Sequence, residues 1–396
     1  MTISTTRLTG ASLAAIALTA VSVLGFATSA HAAITPGTTI TTPLNQIEKP
    51  YGSAVSPDGK IMAIPSNDDN KVTFVYAETD TELVVTDTNS ALLDPMYVAF
   101  SPDNTKLYVS NYGDDSVVVI DVATHTVVEL VDVIHDENIG LGVSPDGTKL
   151  IVADDYDNVT IYDITNSYAQ LATNTSFQGQ YIERFFFIDN STAYSTDFEG
   201  VVQKWNLSNA AELSSFATAG VSQSFGQCAT SDLSLIFYID NFVVPSLVVA
   251  VNPADGTVVG ELDLENVAAG DGQCVVTPDN KKLLLTDRDE LTPGHVFIID
   301  IATLTLEETV TFVDVGNTVA IGIMTGCKVY ASGDFQNIGQ FQMPAENCID
   351  ALGDKGAALP DTGASPSVIG TSLAVSVGLL VAGVIALVVV RRRQHS

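Results

Sequence analysis

Residues 97–131 decide the fold, and they read YVAFSPDNTKLYVSNYGDDSVVVIDVATHTVVELV. The proline of the turn at 101–104 fixes one φ angle, and the Asp103-Asn104 pair tolerates the conformations that complete a tight turn. An apolar run leads into this turn. Three strand-like segments follow it, at 106–110, 116–121 and 126–131. The stretch therefore predicts four short strands joined by tight connections.

The turn recurs at regular intervals along the chain. Clear copies stand at 56–59, 144–147 and 277–280, and degenerate copies at 188–191, 230–233 and 324–327. The seven copies start 42 to 47 residues apart, and four strands in a repeat of that length are typical of a β-propeller blade. No part of residues 34–358 shows a sustained helical period, which excludes a solenoid of helices. The sequence predicts an all-β fold, a seven-bladed β-propeller of four-stranded blades over residues 33–352.

The repeat resembles a known one. Tyr108-Val109-Ser110-Asn111, followed by residues 118–124, is similar to the YVTN-type propeller repeat of bacterial surface-layer and lactonase-like proteins. The resemblance is good in the second, third and sixth repeats, whereas the fourth keeps only the hydrophobic pattern and Trp205. It covers nearly all of the predicted propeller and implies an architecture far more than an activity.

The two ends of the propeller are expected to meet in one sheet. Residues 38–44 have the pattern of an outer strand without a blade of its own, and the last predicted strand lies at 339–343. Pairing the two would complete the seventh blade and remove the exposed edges of an open ring. Residues 353–358 would then form a short linker.

The N-terminus has the features of a secretory signal peptide over residues 1–32. Arg7 supplies positive charge, residues 11–27 form an apolar run, and Ala30-His31-Ala32 places small residues where a signal peptidase reads them. We expect a signal helix that is removed by cleavage after Ala32.

The C-terminus carries a second apolar segment, residues 368–390, which contains no charged residue. A helix of this length, at about 1.5 Å per residue, covers a hydrocarbon core of about 30 Å. Arg391, Arg392 and Arg393 follow at once, and positive charge beside a membrane segment stays on the cytoplasmic side. Residues 364–396 are therefore predicted to be a transmembrane helix with a basic tail, with the propeller outside the cell.

The pentapeptide Leu359-Pro360-Asp361-Thr362-Gly363 stands just before this segment. A pentapeptide of this kind, an apolar span and a basic tail resemble the LPxTG sortase sorting signal of Gram-positive surface proteins. The resemblance implies that a sortase thiolate attacks the carbonyl carbon of Thr362 and that a peptidoglycan precursor amine resolves the thioester. The segment from Gly363 onward would be removed, so that membrane contact is transient. The mature protein would remain covalently linked to the cell wall, on the extracellular surface.

The charge balance excludes two classes of partner. The chain has 16 Lys and Arg residues against 47 Asp and Glu residues, for a net charge of −31. Nucleic acids and anionic lipid surfaces are bound by clusters of Lys and Arg. We therefore expect neither as a partner of the mature protein.

The four cysteines all lie in the part predicted to be exported, where an even number favours two disulfides. Cys228 and Cys274 occupy matching Gly-Gln-Cys units one repeat apart, which predicts a bridge between the fifth and sixth blades. Cys327 and Cys348 both belong to the last repeat, and a bridge between them would lock the closing blade. The alternative is four free thiols in the core.

One face of the predicted ring collects an acidic loop from each blade. Carboxylate oxygens at this density suit Ca²⁺, which takes about six to eight oxygen ligands. The candidate calcium ligands are Asp114, Asp115, Asp154, Asp155, Asp157, Asp287 and Asp289. Acidic residues are also good turn formers, so the alternative is a set of ordinary turns.

The loops between blades on the same face surround the mouth of the central channel. The candidate ligand-binding residues are Tyr51, Tyr97, Tyr181, Gln227 and Gln273. Their side chains suit an extracellular carbohydrate or protein ligand. The candidate acid–base residues for a lactonase-like or lyase-like reaction are His135, Glu183 and Arg184. No phosphate loop, dinucleotide fingerprint or Gly-x-Ser-x-Gly motif is present in the sequence.

Three functions are compatible with these features. The first is a wall-displayed binding or interaction module with an acidic face, which needs only a rigid ring and an exposed surface. The second is a wall-anchored enzyme that uses the channel mouth. The third is a structural component of the surface coat.

Overall fold

The computed structural model describes part of the chain. The described residues are Ile34, Ile40–Thr41, Ile47 and 49–348, apart from 87–90, 134–136, 156–157, 176–180, 241–245, 265–271, 288–292, 314 and 334–336. The predicted signal peptide, linker, sorting motif and C-terminal apolar segment lie outside them. Within the described residues, no helix combines the length and the apolar character needed to cross a membrane.

The described chain forms seven antiparallel sheets of four strands each. Strand β1 is Ile40–Thr41. Blade one contains β2–β5, at Ala54–Val55, Ile61–Ser66, Lys71–Tyr76 and Thr81–Thr86. Blade two contains β6–β9, at Pro95–Phe100, Lys106–Asn111, Ser116–Asp121 and Thr126–Asp132. Blade three contains β10–β13, at Asn138–Val143, Lys149–Asp154, Val159–Asp163 and Ala169–Asn174.

The remaining blades follow the same order. Blade four contains β14–β17, at Ile182–Phe187, Thr192–Asp197, Val201–Asn206 and Ala211–Ala217. Blade five contains β18–β21, at Ser224–Ala229, Ile236–Asp240, Leu247–Val251 and Val258–Asp263. Blade six contains β22–β25, at Cys274–Val276, Lys282–Thr286, Gly294–Asp300 and Thr305–Phe312. Blade seven contains β26–β28, at Thr318–Met324, Lys328–Gly333 and Asn337–Gln342. The predicted seven-bladed propeller of four-stranded blades is confirmed.

The fourth strand of blade seven comes from the other end of the chain. Strand β1 pairs antiparallel with β28, with Ile40 opposite Ile338 and Thr41 opposite Asn337. The predicted closure is therefore confirmed, although the described part of the closing strand is shorter than residues 38–44. Short 3-10 turns lie at Tyr112–Asp114, Ile164–Asn166, Thr325–Cys327 and Ala345–Asn347.

The core lies between neighbouring blades, because the sheets pack face to face. Phe74 of blade one and Phe100 of blade two belong to one buried apolar cluster, and Phe237 of blade five and Leu285 of blade six to another. The β-branched run of β8 is buried along its length, as expected of a strand covered on both faces. Each blade thus depends on its neighbours for burial of its apolar side chains.

The repeated turns are held by a local hydrogen-bond pattern. The Ser56 hydroxyl donates to Asp58 Oδ1 at 2.7 Å and accepts from the amide of Ile61 at 2.9 Å. The same hydroxyl-to-aspartate bond forms at 101–103, 144–146 and 277–279. The fourth turn residue has a positive φ, 70° at Gly59 and 62° at Asn104. This chemistry explains why the Ser/Thr-Pro-Asp motif repeats with the blades.

Asparagines link the turns of neighbouring blades in pairs. Asn104 Oδ1 accepts from the amide of Asp58 at 3.1 Å, and Asn190 Oδ1 accepts from the amide of Asp146 at 2.9 Å. Asn280 Oδ1 accepts from the amide of Ser231 at 2.8 Å. These three asparagines therefore join blades two, four and six to the blades before them, and Asn104 and Asn280 also supply the positive φ of the fourth turn position.

Two disulfides join the four cysteines. Cys228 pairs with Cys274 at a Cα–Cα distance of 5.7 Å, which connects the innermost strands of blades five and six. Cys327 pairs with Cys348 at 5.6 Å, which fixes the chain that leaves blade seven. Both predicted pairings are confirmed, and two disulfides fit an extracellular protein.

Blade four contains a buried hydrogen-bond chain. The Trp205 indole donates to Ser195 Oγ at 2.7 Å, and the Ser195 hydroxyl donates to Gln203 Oε1 at 2.6 Å. Gln203 Nε2 then donates to Asp197 Oδ2 at 2.8 Å, and the amide of Val201 donates to Asp197 Oδ1 at 2.8 Å. All four side chains of this hydrogen-bond network are fully buried. Burial raises the pKa of the Asp197 carboxyl to about 7.

The stability of the propeller is expected to carry a pH dependence that Asp197→Asn removes. The pKa of Asp197 is higher in the folded state than in the unfolded chain. Its contribution to the free energy of unfolding is therefore fully present at low pH and is lost as the pH rises through about 7. The free energy of unfolding of Asp197→Asn should therefore rise relative to that of the unmodified protein between pH 5 and pH 8. Denaturant unfolding, followed by the fluorescence of the single tryptophan, measures this difference.

Asp300→Asn is the matched control for this pH series. The hydrogen bond from Lys282 lowers the pKa of Asp300 to about 2, so its contribution is lost only as the pH falls below the unfolded pKa of about 4. The difference in free energy of unfolding between Asp300→Asn and the unmodified protein should not change between pH 5 and pH 8. The same flat difference for Asp197→Asn would contradict the prediction.

Candidate functional site

A cavity of about 350 Å³ opens where the first strands of several blades begin. It is lined by Tyr51, Asn67, Asp94, Met96, Tyr97, Tyr112, Tyr181, Glu183 and Phe225. These residues come from blades one, two, four and five, so the cavity exists only in the closed ring. Five of them are aromatic and two carry carboxyl groups.

Irregularities in the first strands bring three side chains to this cavity. Strands β14 and β15 shift register between Ile182 and Arg184, which leaves Glu183 outside the regular pairing. Strands β18 and β19 shift between Ser224 and Gly226, which does the same for Phe225. Met96 lies in the corresponding shift of β6. Such bulges redirect a side chain at the rim of a sheet, and here they direct three of them to one place.

The Asp94 side of the rim is fixed by hydrogen bonds to the backbone. Buried Asn111 accepts from the amide of Leu93 at 2.6 Å and donates to the carbonyl of Ala91 at 2.9 Å. Asn70 Oδ1 accepts from the amide of Asp94 at 2.7 Å, and the Asp94 carbonyl accepts from the amide of Tyr112 at 3.3 Å. The loop therefore presents the exposed Asp94 carboxylate at a defined position.

The Tyr181 side of the rim is built from aromatic rings. The Tyr181 ring packs edge-on against Phe198 at 5.8 Å between centroids, and Phe198 packs on Phe225 at 4.5 Å. Tyr181 has a φ of 54°, a region that tyrosine seldom adopts. Its side chain is nevertheless 37% exposed, so the strained backbone presents an aromatic face to the cavity and to solvent.

Tyr97 and Glu183 form the floor of the cavity. Tyr97 lies against Gly52, whose amide donates to the carbonyl of Met96 at 2.9 Å, and a Cβ atom at Gly52 would stand 2.1 Å from the ring. Burial, and then the Glu183 carboxylate, raise the pKa of Tyr97 well above its usual value. The Arg184 guanidinium carbon lies 5.8 Å from the centroid of the Tyr97 ring. Glu183 is itself 3% exposed.

A second pair of carboxyls lies behind the tyrosines of the rim. The amide of Asp155 donates to the carbonyl of Glu137 at 3.0 Å. Burial, and then a hydrogen bond with the Glu137 carboxyl, raise the pKa of Asp155 to about 6. Burial, and then the charge of Glu137, raise the pKa of Tyr112 to about 12. Two further carboxyl groups therefore lie close to the tyrosines of the rim.

The structure brings together four residues singled out in the sequence. Tyr51, Tyr97, Tyr181 and Glu183 line the cavity, and Arg184 lies beside Tyr97. His135 lies outside the described residues, so the acid–base set of His135, Glu183 and Arg184 stays a prediction. Asn67, Asp94, Met96, Tyr112 and Phe225 line the cavity without having been proposed as binding residues.

Gln227 and Gln273 do not line the cavity. Gln227 is 1% exposed, accepts from the Thr196 hydroxyl at 3.2 Å and donates to the carbonyl of Ser224 at 2.7 Å. Gln273 is 2% exposed and accepts from the Ser53 hydroxyl at 3.0 Å. Both side-chain amides therefore hydrogen-bond to neighbouring segments in the interior of the ring.

Several of the calcium candidates accept hydrogen bonds from backbone amides. Asp115 accepts from the amide of Glu137 at 2.8 Å, and Asp154 accepts from the amide of Asn158 at 2.9 Å. Asp287 accepts from the amide of His295 at 2.9 Å and pairs with its ring at 2.8 Å. Asp157 and Asp289 are outside the described residues. In the part of the chain that the structure describes, no three His, Cys, Asp or Glu side chains form a group that could hold a metal ion.

The cavity has the chemistry of a binding site for a small ligand. Partly exposed aromatic faces can pack on a ligand, and the carboxylates of Asp94 and Glu183 can accept hydrogen bonds or attract positive charge. In comparisons with known proteins, no protein-family model and no curated protein matches this chain.

Proposed function

We propose that this protein is an exported propeller, linked to the cell wall through Thr362, that binds an extracellular ligand in the cavity described above. The cavity carries the proposal, because it joins side chains of four blades around a space of about 350 Å³. Pockets of a few hundred Å³, lined by aromatic side chains with a few convergent polar groups, are typical ligand sites.

Features of the whole chain support display outside the cell. The two disulfides suit an oxidising environment, and the sequence carries a signal peptide pattern and a sorting signal pattern at its ends. With a net charge of −31, the ligand is an extracellular carbohydrate, protein group or small molecule rather than a nucleic acid.

Ligand binding is tested by calorimetric titration of the mature form, residues 33–362, with neutral saccharides, organic cations and short peptides. At least one class should bind saturably, and Tyr181→Ala should weaken that binding by about ten-fold, since it removes the most exposed aromatic face of the cavity. Tyr168→Ala is the matched control, because Tyr168 lies in the turn before β13, outside the cavity.

Two results would contradict the proposal. One is the absence of saturable binding across all three ligand classes. The other is binding that Tyr181→Ala and Tyr168→Ala weaken to the same extent. Circular dichroism melting of each variant shows whether the fold is intact.

A further inference from the structure

We propose that the cavity takes an organic cation, an ammonium group that carries apolar substituents. This inference rests on the proposed function and names the chemical class of its ligand. It depends on three properties of the cavity: its aromatic faces, its charge and its lack of a metal-binding arrangement.

Four of the five aromatic side chains that line the cavity are partly accessible. Tyr51, Tyr112 and Phe225 are half-buried and Tyr181 is exposed, whereas Tyr97 at the floor is buried. Aromatic faces are negative, and they attract cations within about 6 Å of the ring centroid, by about 0.5–2 kcal/mol depending on desolvation. Several such faces around one space favour a cation with an apolar shell.

One contact of this kind already exists beside the cavity. The Arg184 guanidinium lies over the Tyr97 ring, with its carbon 5.8 Å from the centroid. The backbone of Gly52 also lies against that ring, too close to allow a side chain. The floor therefore places a cation on an aromatic face, and the rings of the rim extend the same environment outward.

The charges around the cavity favour a positive ligand. Among the described residues that line it, Asp94 and Glu183 have carboxyl groups and neither Lys nor Arg is present. Glu137 and Asp155 add a carboxyl pair behind the rim. Arg184, beside the Tyr97 ring, is the positive charge that opposes them. The nearby Lys49 pairs with Asp68 at 2.9 Å. The field at the cavity is therefore negative, which disfavours phosphate and carboxylate ligands.

The same residues do not suit a bare metal ion. Calcium takes about six to eight oxygen ligands, and no group of three possible metal ligands occurs in the described residues. An alkylated ammonium needs no such shell, because its charge is spread under methyl or methylene groups that pack on aromatic faces. Charge and apolar surface are thus satisfied by one ligand class.

The test compares two probes of the same shape, choline and its uncharged analogue 3,3-dimethyl-1-butanol, by calorimetric titration of residues 33–362. Choline should bind at least about ten-fold more tightly, because the cation–π and carboxylate attractions act on it alone. Two further probes distinguish the source of the ammonium group: phosphocholine stands for a lipid or polymer headgroup, and a trimethyl-lysine peptide stands for a protein side chain. Because of its phosphate group, phosphocholine should bind more weakly than the trimethyl-lysine peptide.

Variants assign the effect to the site. Glu183→Gln and Asp94→Asn should each weaken the binding of choline by about ten-fold. The affinity for 3,3-dimethyl-1-butanol should stay unchanged, since each substitution removes only the charge. Asp94 is exposed and has a φ of 49°, which asparagine tolerates, so this variant keeps the fold if Glu183→Gln does not. Asp132→Asn, on the exposed outer strand β9, is the control.

The outcomes separate the ligand class from the proposed function. Equal affinity for choline and 3,3-dimethyl-1-butanol would overturn the assignment of an organic cation and keep the cavity as a ligand site. The same conclusion would follow if choline did not bind but neutral saccharides did, with an affinity that Tyr181→Ala weakens. Failure of every probe and saccharide to bind would overturn both.

Discussion

Replacing Thr362 by alanine is expected to abolish the covalent link between the protein and the cell wall. Under the proposed sorting mechanism, the sortase thiolate attacks the carbonyl carbon of Thr362, so recognition of this residue decides whether the thioester forms. The variant should remain in the membrane fraction and keep residues 363–396. Digestion of the wall with a peptidoglycan hydrolase, followed by immunoblotting, measures the fraction that is released.

Asp361→Ala is the matched control, because Asp361 occupies the variable position of the pentapeptide. It removes a side chain one residue away and should leave the wall-linked fraction unchanged. Wall linkage that survives in Thr362→Ala would show that the protein is retained in another way. Export itself should be normal in both variants, since neither changes residues 1–32.

Replacing Cys228 and Cys274 together by alanine is expected to lower the free energy of unfolding by about 4 kcal/mol. The bridge spans 46 residues, and a crosslink over a loop of that length removes chain entropy of this size from the unfolded state. Both sulfurs belong to an apolar cluster between blades five and six, so alanine adds no unsatisfied polar group. Denaturant unfolding, monitored by the fluorescence of buried Trp205, measures the loss.

The second disulfide provides the internal control. Cys327 and Cys348 are 21 residues apart, so their replacement by alanine should cost less, about 3 kcal/mol. Reducing agent should destabilise the unmodified protein and should not affect a variant that lacks all four cysteines. A larger loss from the 327–348 pair than from the 228–274 pair would contradict the dependence on loop length.

The fold could be predicted because its signals are local. Each turn is formed by residues close in sequence, such as the Ser56 hydroxyl, the proline after it and the carboxylate of Asp58. The number of blades can therefore be predicted from the number of copies of this turn, without knowledge of any distant contact. The pairing of Cys228 with Cys274 followed from the repeat, since equivalent positions in neighbouring blades face each other. Even the degenerate fourth repeat folds as a blade, because Trp205 and the alternating strands around it are still buried.

The candidate site could be predicted only in part. Tyr51, Tyr97 and Tyr181 precede or begin first strands, and the arrangement of the loops between blades indicated where they would meet. Met96 and Phe225 could not be foreseen, because a bulge that redirects one side chain leaves no signature in the hydrophobic pattern. Gln227 was placed near the mouth from its position in the repeat, whereas its amide hydrogen-bonds within the interior.

The acidic loops show where a compositional signal was ambiguous. Asp154 and Asp287 satisfy backbone amides of their own loops, which is the role of aspartate in a turn. Density of carboxylates in sequence does not distinguish this role from metal binding, since both place an oxygen at the end of a strand. Only the directions of the side chains separate the two.

The pairing of β1 with β28 has a consequence for the order in which the chain acquires its structure. Ile40 is made early in synthesis, but its partner Ile338 is made only after all the intervening blades. The first strand must therefore wait as an unpaired segment while the ring grows behind it, and the seventh sheet is completed by the oldest part of the chain. Because contacts between such distant residues form slowly, this late pairing separates an open chain of blades from the finished ring.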